Sequence, residues 1–294
     1  MDREVEIVTA PPFFSSDAVS DSEYLSIRDH ESRIELRETI ERLWQRFFPY
    51  CANPSHFLSD ARCHFHQRIW EMYLACLFLE QGFSLKRPST NGPDIKILTE
   101  AGTIWIEAAA PTSGTGPDAA GGLTLMRKPV PSGESKASIL TPETTVLRYT
   151  SFLRAKLNQY IEFRKRNIVG SNDVFVVAIN AGKIDDADIE NGLPDIIRAV
   201  FPIGEPVFCI PLKGPGKPYT EYRFRPSLLK KSGSPVSTDC FLDPDYKPIS
   251  AVIFAPYRIS APNDLKGTEI IVVHNPNASV PLPPGIIRLG REYW

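Results

Sequence analysis

Between Ile69 and Leu79 the chain reads IWEMYLACLFL, a run in which Glu71 is the one charged residue. A helix that is apolar on nearly every side is a buried helix. A carboxylate inside it costs several kcal/mol unless it meets a donor, a cation or a proton. Glu71 therefore has one of two partners, an arginine such as Arg68 in a structural ion pair or a bound metal ion. Taken alone, the residue does not choose between them.

The elements around this helix form an ordered string. Residues 1–27 carry Pro11-Pro12, Ser15-Ser16 and scattered acids, and read as a loosely ordered acidic tail. Residues 28–48 place Ile34, Leu36, Ile40, Leu43, Trp44 and Phe47 at helical spacing, so an amphipathic helix is expected there, closed by Pro49. A loop through Asn53-Pro54 leads to the buried helix, expected over about residues 62–81 and capped by Gly82. Three extended segments follow: Phe83–Arg87, Asp94–Leu98 entered through Asn91-Gly92-Pro93, and Thr103–Ala110 entered through Ala101-Gly102. The second and third are close enough for a tight antiparallel hairpin. Residues 112–142, rich in Gly, Pro, Ser and Thr, read as a long loop. A helix over about 143–167 and a buried strand at Asp173–Asn180 come next. Beyond residue 183 the signals weaken: strands are expected at 206–211, 219–225, 249–255 and 268–274, with a helix near 193–200. No linker cuts the chain, so residues 28–61 lead into a core at 62–182, and 183–294 extend the same domain.

Totals narrow the class. No apolar run approaches the ~18 residues of a membrane span, and the acidic start MDREVEIVTA lacks the layout of a signal peptide. The five cysteines include no CxxC pair, so structural zinc and a disulfide scaffold are not expected and a reducing cytoplasm is. The net charge of −2 gives no global reason to bind a polyanion, but its distribution is uneven. Residues 1–60 hold 12 acids and 6 bases, whereas residues 143–170 hold six bases against two acids, and residues 211–231 six bases against Glu221. A basic half facing nucleic acid is one reading; solvated surface charge is the other.

Two further acids stand at informative places. Asp94 opens the second strand directly after Gly92-Pro93. Glu107 is the one charge in IWIEAAA, on the strand face shared with Thr103, Trp105 and Ala109. On paired neighbouring strands the two carboxylates come within a few ångströms, and such oxygens, completed by water, suit Mg²⁺ or Mn²⁺. With Glu71 on the preceding helix, the pattern resembles the PD-(D/E)xK nuclease superfamily over roughly residues 62–180. The resemblance implies an α/β, restriction-endonuclease-like αβββαβ core with a mixed sheet, an N-terminal helix and a C-terminal strand extension. It implies that Asp94 and Glu107 hold Mg²⁺ or Mn²⁺, with Glu71 helping to hold or orient it. The metal would polarise a phosphodiester of DNA or RNA and generate hydroxide. Many enzymes of this fold act as dimers, which makes a homodimer an expectation.

One departure stands out. The family places a lysine two residues after the second acid, where this chain has Ala109. Lys156 is the substitute: on the helix after the long loop it falls within the apolar stripe of Tyr149, Phe152, Leu153, Leu157, Tyr160 and Phe163. A snorkelling lysine is its bland alternative. Lys96 is a weaker substitute, and Lys128 and Lys136 depend on the loop. The segment from Lys156 to Tyr160 also resembles the Gln and Tyr signature of recombination nucleases, and Gln159 and Arg148 are candidates to contact the scissile phosphate. His64 and His66 lack a third ligand and read as surface histidines. Tyr222-Arg223-Phe224-Arg225 alternates aromatic and basic residues, as either a nucleic-acid clamp or an edge strand with one charged face. The sequence thus points to a metal-dependent nuclease. The alternative is a nuclease-like domain that no longer cleaves and binds nucleic acid or a partner protein.

Overall fold

The computed structural model describes residues 9–114, 142–184, 193–210, 217–259, 267 and 269–294. Helices α1 (Ser22–Asp29), α2 (Ile34–Phe47), α3 (Pro54–Ala61) and α4 (Phe65–Glu80) precede strands β1 (Ser84–Lys86), β2 (Ile95–Thr99) and β3 (Gly102–Ala109). Helix α5 (Pro142–Lys165) and strand β4 (Val174–Asn180) follow, then α6 (Asp195–Val200), β5 (Ile203–Cys209) and β6 (Tyr219–Phe224). Strands β7 (Ser227–Leu229), β8 (Pro235–Ser237), β9 (Ala251–Ala255), β10 (Ile271–His274) and β11 (Arg291–Tyr293) complete the chain. From α4 to β4 the order is αβββαβ, as expected from the sequence.

A mixed seven-stranded sheet runs β1-β2-β3-β4-β9-β10-β11. The pairs β1–β2 and β2–β3 are antiparallel, while β3–β4 and β4–β9 are parallel. Alternation along the strands sorts the core into two layers. Ile104, Ile106 and Ala108 of β3 pack with α1 to α4, whereas Trp105 packs with α5 and α6 on the opposite face. Strand β4 is buried along its whole length because helices cover both its faces. The weakly signalled C-terminal third supplies β9, β10 and β11 to the same sheet, with β9 beside β4.

Helix α4 is central to this arrangement. Its residues Phe65, Ile69, Trp70 and Met72 to Phe78 are all buried, and the Trp70 indole N–H donates to the Ala178 carbonyl of β4 at 3.1 Å. The helix ends where Gly82 adopts a φ of 82°, and the Phe83 amide reaches back to the Phe78 carbonyl. No helix among the described residues is long and apolar enough to cross a membrane.

Three expectations differ from the structure. Residues 54–61 form α3: the Asn53 side chain accepts from the His56 amide and Pro54 occupies the first turn, so the apparent loop dipeptide is a helix start. The helix expected over 28–48 is α2 from Ile34, entered through a short 3₁₀ turn at Glu31–Arg33, while α1 lies almost wholly within the expected tail. Of the expected loose tail, residues 1–8 lie outside the described residues, but 9–27 are packed. Phe13 and Tyr24 are fully buried, and the Phe13 and Phe14 amides donate to the Glu41 carboxylate of α2 at 3.0–3.2 Å. Acidic, proline-bearing composition suggested disorder, yet the aromatic pair finds a groove between α2 and α4.

Glu41 is thus the anchor of the N-terminal strap. Hydrogen bonds to a charged group contribute roughly 1.5–3 kcal/mol. Glu41→Ala is expected to lower stability by about 2 kcal/mol and to open proteolytic nicking between residues 9 and 20. Urea unfolding and timed limited proteolysis check this.

A buried carboxylate site between the sheet and two helices

The β2–β3 ladder begins at Ile95 opposite Ile106. Asp94, held just before it by Gly92-Pro93, thus stands across from Glu107, where facing residues have Cα atoms about 5 Å apart. Its Oδ2 accepts from the Ala108 amide at 2.8 Å, one step further along β3. Strand β3 runs on to Ala109, past the point where β2 begins, and Gln67 of α4 reaches this stretch of β3, its amide donating to the Ala108 carbonyl at 3.3 Å.

Glu107 projects toward α5, as the alternation of β3 requires. There Lys156 Nζ donates to Glu107 Oε1 at 2.8 Å, with both side chains largely buried. Glu71 comes from α4 and is 2% exposed. Arg68, one turn earlier, donates from Nη1 to both Glu71 oxygens at 2.7 and 2.6 Å, and its Nε reaches Asp60 at 2.7 Å. Gln67 adds a third tie: its amide donates to Glu71 Oε1 at 3.0 Å while its oxygen accepts from the Ala110 amide at 2.6 Å. Sequence reading missed Gln67, although its place four residues before Glu71 on one helix face was visible.

Three carboxyl groups therefore share two cations. Burial, and then the neighbouring Asp94, push Glu71 and Glu107 up to about 8. Burial also raises Asp94, against the pull of Lys156 and Arg68. A cavity of about 180 Å³ opens onto this group, with Arg68, Glu71 and Asp94 in its lining and the exposed Asn53, His56 and Thr90 at its mouth.

The other candidates lie elsewhere. Gln159 is exposed on α5. Arg148 is held by the Thr112 carbonyl at 2.8 Å, with its guanidinium over the Phe152 ring. Lys96 lies over the Trp105 ring at 4.8 Å, and Lys128 and Lys136 fall outside the described residues. His64 is exposed beside Asp60, but His66 is buried rather than on the surface. Burial, reinforced by Lys183 and Arg258, pushes it down to about 3. Its place in the first turn of α4 turns it toward the core. Among the described residues, no group of three or more His, Cys, Asp or Glu side chains is arranged to hold a metal ion by itself.

No family model, curated protein or solved structure matches the chain. The architecture, an α/β domain with a mixed seven-stranded sheet and flanking helices, is compatible with a nuclease-like fold.

The raised carboxyls make stability depend on pH in a definite direction. Glu71 and Glu107 hold a proton more tightly in the folded protein than in the unfolded chain. Their contribution is thus full below about 4.5 and is lost as pH rises through about 8. Breaking a buried pair by removing one partner costs about 3–5 kcal/mol. Lys156→Met is expected to lose that much at pH 8 and markedly less near pH 5, where Glu107 is neutral. Urea unfolding at the two pH values measures the difference.

Proposed function

We propose that the protein is a metal-dependent nuclease whose cleavage site is the group formed by Asp94, Glu107, Lys156 and Glu71. The observation that carries this reading is the contact of Lys156 with Glu107. The nuclease pattern wants a lysine two residues after the second acid, on the same face of β3, and Ala109 stands there instead. Helix α5 covers that face and brings an ammonium group to the same carboxylate from the other side.

The donor set fits a hard divalent cation. It consists of oxygens, and burial raises all three carboxyls so that they hold protons which a bound cation would displace. Mg²⁺ is commonly held by one or two carboxylates, with waters and substrate phosphate completing the shell. Asp94 and Glu107 would hold it, with no third side-chain ligand required. When bound, the cation supplies positive charge to a phosphodiester and lowers the pKa of a neighbouring water. The chain's own residues do the rest. Lys156 offers a positive charge at the carboxylate rim, where a phosphorane-like transition state develops negative charge. Arg68 and Gln67 keep Glu71 fixed beside Asp94. The cavity beside Asp94 gives the phosphodiester its approach, and Arg148, held by the Thr112 carbonyl beyond the end of β3, and Gln159, exposed on α5, are the candidates for a flanking phosphate.

Cleavage of mixed DNA and RNA in Mg²⁺ or Mn²⁺ tests the reading. The intact protein is expected to cut. Asp94→Ala is expected to abolish cutting, and Lys156→Ala to reduce it at least a hundredfold while a metal-induced rise in melting temperature persists. A folded intact protein that cuts neither substrate overturns the proposal and leaves a nuclease-like domain that binds without cleaving. Cleavage surviving Lys156→Ala would leave the metal site and dismiss the lysine.

A further inference from the structure

The β5–β6 ribbon stands apart from the main sheet as a separate two-stranded sheet. Isolated two-stranded ribbons are marginal in water, and apolar residues on them ordinarily find cover. Here the register pairs Pro206 with Tyr222 and Phe208 with Thr220, which puts Phe208, Tyr222 and Phe224 on one face. Phe208 is 66% and Phe224 78% exposed, and Tyr222 is 40% exposed. The opposite face carries Glu221 and Arg223.

Charge says what suits this face. Residues 203–231 contain six bases and two acids in a chain whose net charge is −2. One of the acids, Glu205, is already paired with Arg198. Lys217, Arg223 and Lys230 are exposed around the ribbon. Arg225, immediately after β6, donates from Nη2 to the Ile203 carbonyl at 3.3 Å, while its Nε and Nη1 have no hydrogen-bond partner among the described residues despite being buried. Exposed aromatic rings bordered by exposed lysine and arginine side chains are the chemistry that binds single-stranded nucleic acid, with bases stacked on rings and phosphates on the cations.

The ribbon is also placed to serve the carboxylate site. Strand β5 packs on α6, and α6 packs on α5. Arg225 senses Glu143 in the first turn of α5. Lys156 lies thirteen residues along the same helix, about 20 Å by helical rise. A few nucleotides of extended strand span that distance, passing Arg148.

We infer that the β5–β6 ribbon is a stacking platform for single-stranded nucleic acid, feeding the strand along α5 toward Glu107 and Lys156. The destination rests on the nuclease reading, whereas the binding does not. The test is therefore binding rather than cleavage. Fluorescence anisotropy with labelled oligothymidylate and oligouridylate is measured without divalent cation for the intact chain, for Phe208→Ser with Phe224→Ser, and for Arg223→Ala. Both aromatics are solvent-exposed, so circular dichroism is expected to report an unchanged fold. The aromatic pair is expected to weaken binding at least thirtyfold. Arg223→Ala is expected to flatten the slope of log affinity against log salt by about 0.7, as for one lost phosphate contact. If the intact protein does not bind, or the serine variant binds equally well, the inference is overturned. If the serine substitutions dissociate a dimer on size exclusion and leave affinity unchanged, a second copy covers the face and the inference again falls. Binding that needs the ribbon in a protein that never cuts keeps this inference and removes the nuclease.

Discussion

An ammonium group inside a protein is tolerated only where an anion meets it, and Lys156 meets Glu107 at the boundary between β3 and α5. Much else depends on that meeting. Glu107 must face α5, which fixes the phase of β3; β3 must pair in register with β2, which sets Asp94 opposite; and α5 must lie along the sheet at one rotation. A one-residue slip of β3 would send its carboxylate to the α4 face and leave Lys156 buried alone. The ion pair thus adds less to net stability than to the choice of one register among several.

The second cation, Arg68, has a different place. It belongs to the same helix as Glu71, so its pairing is local and forms whenever α4 forms. Between them, Arg68 and Lys156 neutralise two of the three carboxyls from opposite layers of the fold, one from each side of the sheet. Asp94 sits between these layers and is steadied by a backbone amide. The carboxyl without a cation of its own therefore stands where the cavity opens.

Much of this was legible because it rests on short-range pattern. The apolar run around Glu71, the alternation through Glu107 and the stripe containing Lys156 each announced an element and its buried face, and the hairpin brought Asp94 to Glu107 by register alone. Less was legible where tertiary packing overrode composition. Phe13 and Tyr24 were hidden in an acidic tail because their groove exists only once α2 and α4 have packed together. His66 is buried because its position in the first turn of α4 turns it toward the core, which its polarity did not suggest. Arg148 falls on the right helix, but its contacts with Thr112 and Phe152 depend on where the chain leaves β3, which no periodicity records. The strands after residue 200 were placed approximately, yet their division between the main sheet and a free-standing ribbon follows from long-range pairing.

The N-terminal strap carries a consequence for the order in which the molecule is made. Its landmarks are the Arg62 carbonyl, which accepts from the Ser20 and Asp21 amides; the Phe65 amide, which donates to Asp21; and Lys183, which pairs with Glu23. A ribosome extrudes the strap first and Lys183 well over a hundred residues later. The strap's berth on α2 and α4 is therefore complete long before its last tie exists, and the Lys183 contact closes a seam between the first helices and the end of β4 only once the sheet has formed.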